Sequence, residues 1–380
     1  MRRTSLRASV VASVVLAMSL AACSSSGDKT STADSNSPSA TSTGATQASS
    51  TASVPAGAGS SSAPTDRPTD NPHVVFAVAG YSVSFLPVTL AVDAGLFKAE
   101  GLDAEMIQTG GGAQTLAGVS GGSATFGAIV YSDGLVATSK GQPIISVAPL
   151  SVQYTTDLVM SAKSMQKFGI TPDMPIDQRV QRAKGAKIAV TSRGSGGDKV
   201  VRYILQQYGL NPDKDVTIVN IAQNGQEPAL EAGQIDAFAN SSPITDLAVK
   251  AGAKWWIRPS QGDVPSLNGF TYVSLASLPS VVKNHPDWVK AAVRGLQASI
   301  DMLKNDPDKA IPYILPHIKG LTADDLKSIL KDAAAYLPDS LVLTEKGFQQ
   351  NTDFLKAVGQ PVDVTFADTS NTALAQAAAG

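Results

Sequence analysis

The sequence predicts a two-lobed α/β protein with mostly parallel sheets, flanking helices and a helical C-terminal region. Three observations carry this. Short apolar strands alternate with helical stretches, the pattern of parallel sheets covered by helices. The alternation begins twice, near Val74 and again near Lys187. Beyond Asp287 the apolar residues recur at helical spacing instead.

The elements follow in order. Arg2, Arg3 and Arg7 precede an apolar run from Val10 to Leu20. This run is too short for a spanning helix, which needs ~20 residues, so residues 1–22 read as a signal peptide. Leu20-Ala21-Ala22-Cys23 resembles the bacterial lipoprotein box, which implies cleavage before Cys23 and lipid on its sulfur. Cys23 is the single cysteine of the chain. An internal disulfide, thiol catalysis and a cysteine metal cluster are therefore excluded. Residues 23–70 are dominated by Ser, Thr, Ala, Gly and Pro. Such a tract has too little apolar surface to offset its ordering entropy and reads as a flexible tether.

The chain from Pro72 on is long enough for two lobes. Strands are expected at Val74–Val78, Ala104–Ile107, Thr125–Ile129 and Ile144–Val147. In the second half they are expected at Lys187–Val190, Val216–Val219 and Ile235–Phe238. Helices are expected at Asp198–Tyr208 and Glu227–Ala232, and then at Asp287–Lys304, after the Thr322 cap, and at Thr344–Ala357. Asp157–Met160 and Thr271–Leu275 are candidate hinge strands. These divisions give one lobe at 71–158 plus 276–380 and a second at 159–275.

The formal net charge is −2 at pH 7, with no block of like charge. Neither nucleic acid nor an acidic lipid surface is an evident partner. The three histidines, His73, His285 and His317, are scattered, and no metal set or triad is legible.

Four loops follow strands and open helices. They are Gly80-Tyr81-Ser82-Val83-Ser84, Gly110-Gly111-Gly112-Ala113, Ser192-Arg193-Gly194-Ser195-Gly196-Gly197 and Asn240-Ser241-Ser242-Pro243. The first amides of a helix lack internal partners and carry partial positive charge, so such ends hold oxyanions; glycine-rich turns also serve as plain caps. Neither glycine loop has nucleotide-motif spacing. Arg193 suits paired hydrogen bonds to a planar anion, or is a solvated surface residue. Tyr81, Tyr131 and Tyr154 suit stacking on a flat ligand or lobe core. Asp133, beside Ser132, suits an ammonium group or a helix cap, the cap being preferred. Trp255 and Trp256 read as core or lobe surface. The candidate ligand residues are Tyr81, Ser82, Gly111, Gly112, Ser132, Arg193, Ser195, Gly196 and Ser241.

The stretch Ser84–Leu102, with Pro87, Ala91, Gly95-Leu96-Phe97 and Glu100-Gly101-Leu102, resembles the nitrate/sulfonate/taurine-type substrate-binding proteins, which are similar to thiamine-pyrimidine-precursor binders. The likeness continues through Gly110–Gly112, Ser123–Gly127, Lys140–Pro143 and Ala232–Ala237. It implies a type II periplasmic-binding fold with two interlobe crossings and a ligand in the cleft. It also implies a monomeric, extracytoplasmic, lipid-anchored binder of a small anionic solute, with no cofactor, serving an ABC permease and ATPase. A flat heterocycle is the alternative ligand. A second alternative is an enzyme: yeast-type relatives make a pyrimidine with their own histidine and a cysteine-rich, iron-associated segment. This chain has no cysteine after Cys23 and no clustered histidines.

Overall fold

The computed structural model describes residues 66–379. The expected signal peptide, Cys23 and most of the tether lie outside the described residues. Residues 66–70, assigned to the tether from composition, are instead held against the first lobe. Arg67 pairs with Glu100, Asp66 accepts from Lys290 and Arg294, and Arg294 also reaches Glu100.

Among the described residues, ten strands form two five-stranded sheets. The first sheet has β1 (His73–Val78), β2 (Asp103–Gln108), β3 (Phe126–Val130), β4 (Ile145–Ser151) and β10 (Val273–Ser277), in the order β2-β1-β3-β10-β4. The second has β5 (Thr156–Met160), β6 (Lys187–Val190), β7 (Thr217–Asn220), β8 (Ala237–Ser241) and β9 (Lys254–Ile257), in the order β7-β6-β8-β5-β9. Each sheet repeats one design. A parallel set (β2-β1-β3, then β7-β6-β8) is followed by one antiparallel strand, β10 or β5, that pairs on both sides. The sheets are thus mixed, but four of the five strands in each run the same way, in keeping with the mostly parallel sheets expected from the sequence. The one reversed strand of each sheet carries no sequence mark of its direction: β5 (Thr-Asp-Leu-Val-Met) and β10 (Val-Ser-Leu-Ala-Ser) are buried along their whole length just as β3 is.

The boundaries at 158/159 and 275/276 fall inside β5 and β10. Each of these strands belongs wholly to one sheet, so neither is itself a crossing. The chain passes between the sheets at 152–155 and at 258–272. The C-terminal helices pack on the first lobe. The Pro286–Asn305 helix buries Val289, Ala292, Val293, Leu296, Ile300 and Leu303. Thr322 caps the Ala323–Ala333 helix in a reciprocal capping box with Asp325, and Thr344 caps the Glu345–Ala357 helix.

At the seam the lobes are stitched by short polar contacts. The Val83 amide donates to the Ser242 carbonyl at 3.0 Å. The Ser84 and Thr155 hydroxyls meet at 2.5 Å, and those of Thr156 and Tyr272 at 2.9 Å.

Candidate ligand cleft

A cavity of about 960 Å³ opens between the lobes at the carboxyl ends of the parallel strands. This is where open α/β sheets place ligand sites, and the volume lies at the upper end of the usual range. Its walls are helix beginnings. From the first lobe come Gly111, Gly112 and Gln114 of the Gly112–Ser120 helix, Asp133 of the Tyr131–Ser139 helix, and Ser82 and Ser84. From the second come Ser195, Gly196 and Lys199 of the Gly196–Gln207 helix, Gln223 of the Gln223–Glu231 helix, and Asn240 and Ser241.

The local chemistry leaves donors facing this space. Gly111 and Ala222 occupy N-cap positions without a side chain able to accept, so the first amides of their helices are left for another acceptor. The third helix end is built differently. Ser195 Oγ accepts from the Asp198 amide, and Asp198 Oδ2 accepts from the Gly194 amide at 2.8 Å. That exchange fixes the 192–195 turn, in which Gly194 takes φ +79°, a left-handed conformation that favours glycine. Gly196 is fixed by close approach: a Cβ there would lie 2.5 Å from Tyr272 Oη. Its carbonyl accepts from Tyr154 Oη at 2.7 Å.

Seven of the sequence candidates line the cavity: Ser82, Gly111, Gly112, Arg193, Ser195, Gly196 and Ser241. Two do not. Tyr81 turns away and stacks on His317, with ring centroids 4.2 Å apart, while His317 hydrogen-bonds Asp93. Ser132 is buried in the first turn of its helix. Tyr131 and Tyr154 are core: Tyr131 bonds the Ser370 hydroxyl, and Tyr154 packs on Tyr272 at 4.2 Å. Burial pushes the phenols of both above their ordinary range. The aromatics that do line the cleft are Phe85 and Tyr272, the phenol of the latter pushed up to about 12 by burial. Trp256 is core, and Trp255 carries the Arg258 guanidinium over its ring at 4.2 Å.

Charge is arranged differently from the sequence expectation. Arg193 sits exposed on the rim. The buried cation of the cleft is Lys199, which the sequence reading passed over. It forms an ion pair with Asp133 across the cleft, one residue from each lobe. The Lys199 side chain is 4% exposed and that of Asp133 18%. The helix-cap reading of Asp133 is therefore corrected: its helix has no side-chain cap, and the carboxylate answers an ammonium group, that of Lys199. Leaving either partner of such a pair alone costs about 3–5 kcal/mol. The sequence held a signal for Lys199. Its spacing of four from Ser195 places it on the face of the helix that carries the cap.

The comparisons with known proteins agree with this architecture. The 4-amino-5-hydroxymethyl-2-methylpyrimidine phosphate synthase THI5 of Saccharomyces cerevisiae is 24% identical over 280 residues, 71% of this chain and 78% of the relative. A solved structure from Bordetella bronchiseptica RB50 superposes with a TM-score of 0.70 at 24% identity, covering 80% of this chain and 96% of that one. The alkanesulfonate-binding protein SsuA from Xanthomonas axonopodis pv. citri, bound to MOPS, gives 0.65 at 17% identity over 80% and 99% of the two chains. These likenesses show a shared periplasmic-binding fold. Residues 82–310 match the family described as NMT1/THI5 like, and this chain belongs to that family.

Proposed function

We propose that this chain is the extracytoplasmic substrate-binding protein of an ABC-type importer, anchored by lipid on Cys23. It takes a small polar solute into the interlobe cleft and releases it unchanged to a permease driven by an ATPase. One observation carries the reading: uncapped or glycine-rich helix beginnings from both lobes open into one cavity of about 960 Å³, so closing the lobes surrounds a solute with donors. Ser82, Gly111, Gly112, Arg193, Ser195, Gly196 and Ser241 are the contacts assigned to that solute. The name of the SsuA relative supports a sulfonate-type acid group on it. The names of the yeast relatives support the second reading, a synthase or binder acting on an aminopyrimidine.

Calorimetry of the mature chain with small sulfonates, nitrate, taurine and aminopyrimidines tests capture. The expected result is a Kd well below about 1 mM for at least one of them, weaker than −4.1 kcal/mol being no capture. Mass spectrometry of the recovered solute tests catalysis, and a converted solute refutes the transport reading. Cys23→Ser is expected to release the protein from the membrane fraction.

A further inference from the structure

The ion pair at the cleft floor bears on which solutes fit. Asp133 and Lys199 come from opposite lobes and meet where both line the cavity. Asp133 uses one oxygen, Oδ1, for Lys199. Its Oδ2 has no hydrogen-bond donor among the described residues and lies 3.9 Å from where a Cβ on Gly112 would stand, at the start of an uncapped helix. The Lys199 ammonium has three donors and uses one of them on Asp133. Each member of the pair thus keeps spare hydrogen-bonding capacity, and both residues line the cleft. The two exposed cations of the lining, Lys140 and Arg193, sit farther out, one on each lobe.

A simple oxyanion placed at this floor meets Asp133 as well as Lys199. It gains one attraction and suffers one repulsion at the same depth. A solute that brings its own donor answers Asp133, and its acid group answers Lys199, the helix amides and the rim cations. Resting on the solute-capture reading above, we propose that the cleft selects bifunctional solutes. Such a solute carries an amino-type donor that is read by Asp133, together with an acid group read by Lys199. Simple oxyanions are disfavoured. Asp133 is then the specificity-determining residue, and Lys199 supplies affinity for the acid group.

Taurine and ethanesulfonate differ by one amine and make a matched pair of probes. Calorimetry on the full mature chain is expected to show taurine bound at least about tenfold tighter than ethanesulfonate. Asp133→Asn loses stability because Lys199 is left unpaired, so it is assayed at a temperature where circular dichroism shows it folded; there it is expected to bring the ratio to within about twofold, a change in selectivity that a purely structural role does not produce. Lys199→Gln is expected to weaken both sulfonates while keeping their ratio. Equal binding in the wild type, or a ratio that survives Asp133→Asn, overturns the proposal while leaving solute capture standing. If neither sulfonate binds, the solute released on denaturing the natively purified chain decides. One with both an amino-type donor and an acid group supports the proposal, and one lacking the donor overturns it. No probe bound and no solute carried overturns capture itself.

Discussion

At the residue scale, the cleft depends on how closely side chains approach the 192–197 turn. Gly196 has Tyr272 Oη on one side, and its carbonyl accepts from Tyr154 Oη on the other. Tyr272 is itself held by the Thr156 hydroxyl at 2.9 Å, so it has no free direction in which to retreat. Gly196→Ala is expected to lower stability by about 1–3 kcal/mol through overpacking and to weaken solute binding about tenfold. Gly197→Ala is the control, since a Cβ there meets Ala239 O at 3.4 Å, close to ordinary contact. Denaturant titration and calorimetry on the two variants check this; equal behaviour would show that the turn yields. The same residues show what a sequence conveys. Glycine-serine loops before helices are legible because capping and turn chemistry are local. Tyr81 was misread because an aromatic beside such a loop reaches either the cleft or a neighbour like His317, and the choice lies with a residue far along the chain. Asp133 was legible as suited to an ammonium group or a cap, but its partner Lys199 lies 66 positions away and nothing local names it as that partner.

At the element scale, the expected strands and the long helices appear within a few residues of the boundaries read from periodicity. β6 coincides with its expected span, and the Asp287–Lys304 helix gains one residue at each end. β9 was missed because Lys254–Ile257 is short and aromatic rather than alternating. Helix-on-helix packing supplies a second prediction. Gly295, in the middle of the Pro286–Asn305 helix, leaves room for the Phe97 ring, which stacks on Phe76 at 4.2 Å. A Cβ at 295 would stand 2.4 Å from that ring. Gly295→Ala ordinarily gains helix propensity, roughly 1 kcal/mol. Here the clash is expected to outweigh it, with a net loss of about 1–3 kcal/mol in chemical unfolding and no change in solute affinity. A stabilised variant would show that the ring can shift at small cost.

At the scale of the whole molecule, the seam behind the cleft holds a buried acid. Asp157 on β5 accepts from the Ser260 amide at 3.0 Å and from its hydroxyl at 2.6 Å. Asp246, Arg258, Asp332 and Tyr336 face it around a cavity of about 10 Å³. Burial raises the Asp157 carboxyl to about 7, against the bonds from Ser260 and the charge of Arg258, which pull it down. The raised value sets the sign. The stabilisation from protonated Asp157 is complete below its unfolded value near 4 and is lost as pH rises through about 7. Asp157→Asn mimics the neutral form and is expected to flatten this fall in stability between pH 4 and 7. Urea titrations across that window check it, and parallel curves for the two proteins would refute it.

The placement of β10 governs how the molecule can be assembled. β4 is the outermost strand of its sheet; among the strands it pairs with β10, its other edge bridging only to Ser370, while β10 also completes the edge of β3. Every residue of the second sheet lies between β4 and β10 along the chain. A nascent polypeptide therefore possesses all of the second domain before it holds the strand that joins the halves of the first. The first sheet cannot close on β4 until β10 has emerged behind the whole of the second.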